Sequence, residues 1–191
     1  MKKLLVYLAE GFEETEAVTV IDYVRRSGAK VETVSITEDR KVKGAHDITL
    51  ETDTTIDKLN LDEVDAIYLP GGQPGANNLR DNDKVIQTIQ QLYKDGKLVT
   101  AICAAPIVLD KAKVIEDKKI TSFPTFKEKL TNYKEYEEDK LVVEDGNIIT
   151  SRGPATAIYI AMAIVEKLQG KEKKEELKEE ILQKLVEKSF L

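Results

Sequence analysis

The sequence predicts an α/β fold, in which a mostly parallel sheet is covered by helices on both faces. Short, continuous apolar runs alternate along the chain with longer amphipathic runs, and glycine follows several of them. Continuous apolar runs are typical of strands buried on both faces, and their alternation with helices is typical of parallel sheets. Because such sheets bind ligands beyond the carboxyl ends of their strands, we expect the functional residues in the loops that follow the strands.

The strands are predicted from the apolar runs. Three continuous apolar runs predict buried strands, at residues 4–8, 66–69 and 98–102. Residues 30–36 predict a further strand, because they are rich in β-branched residues, which favour strands. A small hairpin is expected around residues 40–52, where Gly44 favours a turn. Weaker strand candidates lie at residues 119–122, 141–143 and 147–150.

Four amphipathic or apolar segments predict the helices, at residues 14–27, 85–93, 104–112 and 154–168. In the first, apolar side chains recur at helical spacing from Ala17 to Val24, and Gly28 follows as a stop signal. Gly96 and Gly170 follow the second and the last helix in the same way. No internal repeat is visible, so the alternation indicates a single domain rather than a repeat array.

One domain is expected over residues 1–170, because a chain of 191 residues is typical of a single domain with at most a small appendage. Residues 171–191 predict a charged amphipathic C-terminal helix packed on the same domain. One face of that helix and its border carry the apolar residues Leu177, Ile181, Leu182, Leu185 and Val186. The opposite face is expected to be solvated, and packing of the tail against a partner chain is the alternative.

Composition and charge exclude several classes of protein. Hydrophobic residues make up 41% of the chain and charged residues 34%, which is typical of a globular protein with a heavily charged surface. The formal net charge of −6 lacks the basic surface that nucleic acids and anionic membranes attract, so neither is expected as a partner. No apolar stretch approaches the length needed to cross a bilayer, and a cytoplasmic location is expected.

The chain has one cysteine and one histidine. A single cysteine cannot form an internal disulfide, so a disulfide-stapled secreted scaffold is excluded. One residue of each type also excludes a zinc cluster of cysteines and histidines within one chain. Neither a metal nor a cofactor is therefore expected.

Cys103 is the first candidate catalytic residue, because it lies where the strand at residues 98–102 turns into a helix. A nucleophile at such a turn projects above the sheet edge, and the small residue Ala104 permits the tight turn. Pro106 fits the first turn of a helix whose N terminus would favour the thiolate. We therefore expect a depressed thiol pKa. The alternative is an inert cysteine in the core, where free cysteines are common.

Glu16 is the second candidate. It lies on or beside the helix face that carries Val20, which favours an inward orientation. Glu13 and Glu14 are expected to be helix caps or surface charges near the helix N terminus. A buried carboxyl has a raised pKa, and it could hydrogen-bond a thiolate or shuttle a proton. The alternative is an ordinary helix cap or surface charge.

Two glycines, a histidine and an arginine complete the candidates. Gly71 and Gly72 could offer N–H groups as an anion pocket beside Cys103, with an ordinary tight turn as the alternative. They match neither a dinucleotide-binding fingerprint nor a P-loop. His46 is expected at the surface or at an interface, and forms a dyad with the cysteine only if its loop reaches the sheet edge. Arg152 could bind an anion or pair with a carboxylate.

Four segments together resemble the DJ-1/ThiJ/PfpI superfamily, and its DJ-1-like branch in particular. They are residues 9–16 (AEGFEETE), 69–72 (LPGG), 101–106 (AICAAP) and 150–154 (TSRGP). The resemblance extends from Lys3 to about Lys171. It implies a flavodoxin-like three-layer sandwich, and a homodimer with the first helix at its interface.

The resemblance also implies roles for individual residues. Cys103 matches the family's reactive cysteine and Glu16 its partner acid. The backbone N–H groups of Gly72 and Ala104 would line the anion pocket. His46 and Arg152 match positions at the pocket rim or near the dimer interface.

The family activities that the resemblance implies are glutathione-independent glyoxalase and protein deglycase activity, redox sensing through cysteine oxidation, chaperone action and, in distant branches, proteolysis. Bacterial members are often labelled thiazole monophosphate biosynthesis proteins. DJ-1-like glyoxalases have a histidine where this chain has Phe123, which disfavours proteolysis and a Cys–His–acid triad.

We expect a stress protein that acts on small reactive carbonyl compounds through Cys103 and Glu16. Two alternatives stay open. One is a redox-sensing or chaperone-like protein without turnover, in which the cysteine oxidises to a sulfinate. The other is a structural protein that acts through its dimer surfaces.

Overall fold

The computed structural model describes residues 1–189, and its strands and helices alternate as the apolar runs predict. The strands are β1 (Lys3–Leu8), β2 (Lys30–Ser35), β3 (Lys41–Lys43), β4 (Thr49–Glu51), β5 (Thr54–Thr55), β6 (Ala66–Leu69), β7 (Leu98–Ile102), β8 (Lys119–Ile120), β9 (Glu135–Tyr136), β10 (Val142–Asp145) and β11 (Ile148–Ser151). The helices are α1 (Glu14–Arg26), α2 (Gly75–Arg80), α3 (Asp83–Lys94), α4 (Pro106–Lys111), α5 (Ala157–Gln169), α6 (Lys171–Glu180) and α7 (Gln183–Ser189).

Seven strands form the central sheet, in the order β10-β11-β7-β6-β1-β2-β5. Neighbouring strands are parallel except β10, which is antiparallel to β11. The strand order reverses between β1 and β6, because the chain first moves outward to β2 and β5 and then returns to the other side of β1. Such a reversal leaves a crevice at the carboxyl ends of the two strands. The predicted α/β class is confirmed, and the strand order is that of the flavodoxin-like fold.

The side chains of β1 show how the sheet separates two hydrophobic cores. Leu5 and Tyr7 pack in the core beneath α2, α3 and α4. Leu4, Val6 and Leu8 pack in the core beneath α1, α5 and α6. This alternation is what a continuous apolar run predicts for a strand that is buried on both faces. Within residues 1–189, no helix has both the length and the apolar composition that crossing a bilayer requires.

Several elements differ from the prediction for local reasons. The short elements α2, β5 and β9 were not predicted, since two to six residues are too few to show a periodicity. The helix predicted at residues 104–112 begins only at Pro106, because the two residues after Cys103 form the turn. The helix predicted at residues 154–168 begins as a 3-10 turn and becomes α-helical at Ala157.

The C-terminal tail forms two helices, so the expectation of a single amphipathic helix is wrong. The chain turns between α6 and α7, where Leu182 has a φ of 60°. Leu177 of α6 is buried against the core beside α5. Beyond the turn, Leu185 and Val186 are exposed, because the change of direction rotates them away from the face that Leu177 marks. Residues 190–191 of the predicted helix lie outside the described residues.

Candidate active site

The loops after β1, β6 and β7 meet at the crevice between β1 and β6. Glu16 comes from the first loop and the start of α1, Gly71 from the second and Cys103 from the third. A β-carbon built on Gly71 would lie 2.7 Å from the Cβ of Cys103 and 2.9 Å from Oε2 of Glu16. Any larger residue at this position would therefore push the thiol and the carboxyl apart. The structure thus brings together the two residues predicted to be catalytic.

Cys103 is held in an unusual backbone conformation directly after β7. Its φ is 62°, in the left-handed region that residues other than glycine rarely adopt. Its N–H donates a hydrogen bond to the carbonyl of Ser151 at 3.0 Å, which ties the turn to β11. This sharp strand-to-helix turn is the geometry of a nucleophile elbow. The side chain is half-buried, so the sulfur is accessible to a small reagent.

Glu16 lies in the first turn of α1 and is fully buried. Its Oε2 accepts a hydrogen bond from the N–H of Gly71 at 2.7 Å. Its Oε1 has no nitrogen or oxygen partner. The hydroxyl of Tyr68, also fully buried, donates to the main-chain carbonyl of Glu16 at 3.1 Å and so supports the helix turn from below.

Burial determines the pKa values of this pair. It raises the pKa of Glu16 to about 7, although the N–H of Gly71 partly offsets the effect. Burial, followed by the charge of Glu16, also raises the pKa of Cys103 to about 12. The backbone N–H groups of Ala104 and Gly72 act in the opposite direction but are weaker. The expected depression of the thiol pKa is therefore wrong, because burial and the neighbouring carboxylate outweigh the backbone N–H groups that favour the thiolate.

The two pKa values describe a pair that shares one proton. Such groups titrate together, and between the two values the pair holds a single proton. When that proton lies on Cys103, the carboxylate is a base beside a thiol. When it lies on Oε1 of Glu16, the otherwise unpartnered oxygen becomes a donor toward a thiolate, and the repulsion from its charge is removed. A nucleophilic thiolate can therefore form by proton transfer within the pair.

The two glycines after β6 have different roles. The N–H of Gly71 is occupied by Glu16, so Gly71 supplies space for the pair rather than a donor for an anion. The N–H groups of Gly72 and Ala104 are the ones that favour the thiolate. Gly72 has a φ of 86°, and a β-carbon there would lie 2.4 Å from the backbone nitrogen of Glu13. Close packing of the loops thus requires glycine at this position.

His46 is not directed to the cysteine. It lies in the turn between β3 and β4, where its Nδ1 is 2.9 Å from Oε2 of Glu14 and 3.4 Å from Oε2 of Glu13. The hydrogen bond with Glu14 raises the pKa of His46. Contrary to the expectation of a surface charge, Glu14 is buried, because it also accepts the backbone N–H groups of His46 and Ile48. The three side chains have ligand atoms within 4.8 Å of one another, a spacing compatible with a metal ion, but here they form ion pairs.

Arg152 likewise contacts other groups than the cysteine. Its guanidinium lies 3.4 Å from Oγ1 of Thr121 and contacts the main-chain carbonyls of Glu137 and Glu138. It therefore fastens the segment around Glu137 to the end of β11. No contact of Arg152 links it to an anion pocket in the described part of the chain.

Tyr68 was missed because it lies in an apolar run that predicts a buried strand. A tyrosine among aliphatic residues is itself a signal, since a buried hydroxyl requires a hydrogen-bond partner. Here the partner is the carbonyl of Glu16. The sequence does not show which carbonyl is reached, because the two residues are 52 positions apart.

Comparison with known proteins identifies the family of the chain. The model of the DJ-1/PfpI family matches residues 2–167. The protein dj-1beta of Drosophila melanogaster is 41% identical over 181 residues, which cover 95% of this chain and 97% of that protein. A protein named a deglycase, from Thermococcus kodakarensis, is 34% identical over 152 residues, which cover 80% of this chain and 90% of that protein.

Solved structures agree with the sequence comparison. The crystal structure of Drosophila melanogaster DJ-1beta has a TM-score of 0.91 at 41% identity, covering 95% of this chain and 97% of that chain. The structure of oxidized Toxoplasma gondii DJ-1 has a TM-score of 0.89 at 31% identity, covering 95% of this chain and 98% of that chain. The strand order, the elbow at Cys103 and the matched length together lead to one conclusion: the chain belongs to the DJ-1/PfpI family.

Proposed function

We propose that the chain is a cytoplasmic DJ-1-like stress protein that converts small reactive carbonyl compounds, such as methylglyoxal, without a cofactor. The observation that carries the proposal is the buried carboxyl of Glu16, which lies beside Gly71 together with a thiol at a nucleophile elbow. A relative named a deglycase supports the same substrate class. Because position 71 is a glycine, no side chain there crowds the thiol or the carboxyl of Glu16, which leaves space beside them for a carbonyl compound.

The proposed reaction begins with addition of the Cys103 thiolate to the aldehyde carbon of methylglyoxal. A carbon–sulfur bond forms, and the electron pair of the C=O bond moves to oxygen. The N–H groups of Gly72 and Ala104 stabilise this oxyanion, and the proton held on Glu16 neutralises it. The product of this step is a hemithioacetal on the cysteine.

Glu16, now a carboxylate, acts as the base in the second stage. It removes the hydrogen from the former aldehyde carbon as a proton. The electron pair of the C–H bond forms a C=C bond to the neighbouring carbon, and the C=O pair of that carbon moves to its oxygen, which gives an enediolate. Glu16 returns the proton to that neighbouring carbon, and the hydroxyl proton of the first carbon moves to the enediolate oxygen, which gives a lactoyl thioester of Cys103. Water then hydrolyses the thioester to lactate and restores the thiol. The net change is the addition of one water to methylglyoxal, with no oxidant or reductant consumed.

Lactate formed from methylglyoxal by the purified protein tests this proposal. Loss of methylglyoxal alone is not sufficient evidence, because the 29 lysine and arginine side chains form adducts with it. Catalytic turnover, with lactate exceeding the protein by many equivalents, is expected. A yield of no more than one equivalent per chain would contradict the proposal.

Redox sensing through Cys103 is the second candidate function. It is favoured by Oε1 of Glu16, which has no nitrogen or oxygen partner and could hold an oxygen of a sulfinate, with Gly72 and Ala104 holding the other. A structural relative from Toxoplasma gondii is described as oxidized. Each oxidation step consumes one peroxide, adds one oxygen to sulfur and releases one water.

Mass spectrometry after mild peroxide treatment tests the sensor function. We expect the Cys103 peptide to gain two oxygen atoms and no third, because the pocket stabilises the sulfinate. Glu16→Ala should let the oxidation continue to three oxygens. Continuous oxidation to three oxygens in the wild type, or no oxidation, would rule out this function.

We also propose that the protein is a homodimer that pairs through the outer face of α1. Val18 on α1 and Ile48 after the hairpin turn are exposed apolar residues, and Val18 shares a groove with Ile21 and Leu50. Burial of such a surface in a second copy would favour association. Light scattering should give twice the chain mass of 21.4 kDa, and Val18→Glu should give a monomer. A monomeric wild type would contradict the dimer.

A further inference from the structure

Phe123 adjoins the cysteine but has no part in the reaction steps described above. Its backbone N–H donates to the main-chain carbonyl of Cys103 at 2.8 Å, so the two residues are neighbours in space although 20 positions apart. Its ring is 38% exposed, whereas most large apolar side chains of the sheet region are fully buried. An exposed aromatic residue whose main chain is hydrogen-bonded to that of the reactive cysteine is a surface that a bound molecule could cover.

The segment that carries Phe123 is anchored firmly from the inside. Thr121 and Ser122 are fully buried, and the N–H of Thr121 donates to Oγ1 of Thr150 at 2.9 Å. The hydroxyl of Tyr136 accepts from the N–H of Ser122 at 3.2 Å and donates to its carbonyl at 3.1 Å. These inward contacts occupy the polar groups of the segment. The ring of Phe123 is therefore the group that this segment presents outward.

Gly153 supports the ring from the side. A β-carbon at Gly153 would lie 3.2 Å from Cδ2 and 3.6 Å from Cε2 of Phe123, so a larger residue would crowd the ring. The adjacent Arg152 is turned toward Thr121 and the carbonyls of Glu137 and Glu138. Its guanidinium is therefore occupied by these three oxygens.

Cys103 therefore has polar groups on one side and an aromatic residue on another. The groups that can bind or protonate carbonyl oxygens are the carboxyl of Glu16 and the N–H groups of Gly72 and Ala104. The segment on the other hydrogen-bonded flank of the cysteine offers an aromatic ring in place of a donor or a charge. A carbonyl compound whose oxygens bind the polar groups would direct its substituent toward an apolar surface.

We infer that Phe123 selects the substrate class, favouring 2-oxoaldehydes with an apolar and above all an aromatic substituent, such as phenylglyoxal, over those with polar or charged substituents. The inference rests on the proposed function, because it names the substrates of the same site. Aromatic rings attract one another in offset or edge-to-face arrangements, and the contact also removes apolar surface from water.

The first experiment compares kcat/KM for phenylglyoxal, measured as mandelate formed, with that for methylglyoxal, measured as lactate. Phe123→Ala is expected to lower the ratio of the two values about tenfold, which is the discrimination that a lost apolar contact typically causes. Phe123→Tyr keeps the ring and should keep the ratio. An unchanged ratio in Phe123→Ala would overturn the inference while leaving the proposed function intact.

A second experiment does not depend on turnover. Cys103 is the single cysteine, so maleimides that react with thiols report on this site alone. We expect Phe123→Ala to lower the alkylation rate with N-phenylmaleimide relative to N-methylmaleimide, after division by the rates with free N-acetylcysteine. If neither aldehyde is turned over but this ratio falls, the proposed function fails and the apolar recognition surface stands. If the ratio is unchanged, the recognition surface is refuted.

Discussion

Cys103→Ser is expected to lower lactate formation from methylglyoxal by at least about 10⁴-fold, because a serine hydroxyl is a far weaker nucleophile than a thiolate. The chain has no second cysteine to take over the addition step. Serine is close to cysteine in size, so the elbow at residue 103 should keep its backbone conformation. The measurement is lactate formed per chain over time, for both proteins at equal concentration.

The control for this substitution is a test that the variant keeps the fold. Circular dichroism and thermal unfolding should be nearly unchanged, since Cys103 is only half-buried and its backbone hydrogen bonds stay in place. Lactate formation by Cys103→Ser within tenfold of the wild type would show that the reaction does not use the thiol. We would then attribute the formation of lactate to water or to another side chain.

Glu16→Gln is expected to have two opposite effects. It should lower lactate formation by about 10²- to 10⁴-fold, because glutamine can neither give a proton to the oxyanion nor take one from carbon. It should also stabilise the fold at neutral pH, because it removes a buried carboxyl that resists ionisation. The amide oxygen of glutamine can still accept the N–H of Gly71, so the loops should stay in place.

The pH dependence of this stabilisation follows from the raised pKa of Glu16. Below pH 4.5 the carboxyl is protonated in both the folded and the unfolded protein, and it imposes no cost. Between pH 4.5 and 7 it ionises in the unfolded chain but stays protonated in the folded one, so the wild type loses stability as the pH rises. A pKa of about 7 corresponds to a cost of up to about 3 kcal/mol above that pH.

Urea unfolding of wild type and Glu16→Gln across pH 4 to 8 measures this difference. The free energies of unfolding should be similar at pH 4 and should diverge until about pH 7, with the variant more stable. A difference that does not change with pH would mean that the carboxyl titrates normally, and would remove the basis for a shared proton. Glu32→Gln, at a carboxyl that pairs with Lys3 on the opposite end of the sheet, serves as the matched control.

Much of the fold could be predicted because it depends on local patterns. The strands at residues 66–69 and 98–102 lie where the apolar runs place them, and the hairpin forms on either side of Gly44. Each of these elements is determined by side chains within a few positions of one another. Short elements such as β5 were missed, because they form only by pairing with a distant strand.

The candidate site was predicted only in part. Local sequence placed Cys103 at a strand-to-helix turn but left its role open, and the resemblance of four segments to one family singled out both Cys103 and Glu16. Tyr68 lies in a buried strand as the apolar run predicts, but its hydrogen bond to the carbonyl of Glu16 is not predicted. Gly71 is predicted to donate to an anion, although its N–H binds Glu16. These errors share a cause, since hydrogen bonds between residues far apart in the chain leave no local pattern.

The sequence by itself determined the α/β class, the positions of the main strands and the residues that could carry chemistry, because apolar periodicity and turn residues act over short distances. The tertiary structure alone decided how those residues behave. Burial raises the pKa of Glu16, although the N–H of Gly71 acts in the opposite direction. Burial, followed by the charge of Glu16, raises the pKa of the Cys103 thiol, opposite to the effect expected from the helix terminus. Desolvation and charge depend on everything that surrounds a group in three dimensions, and only the fold specifies those surroundings.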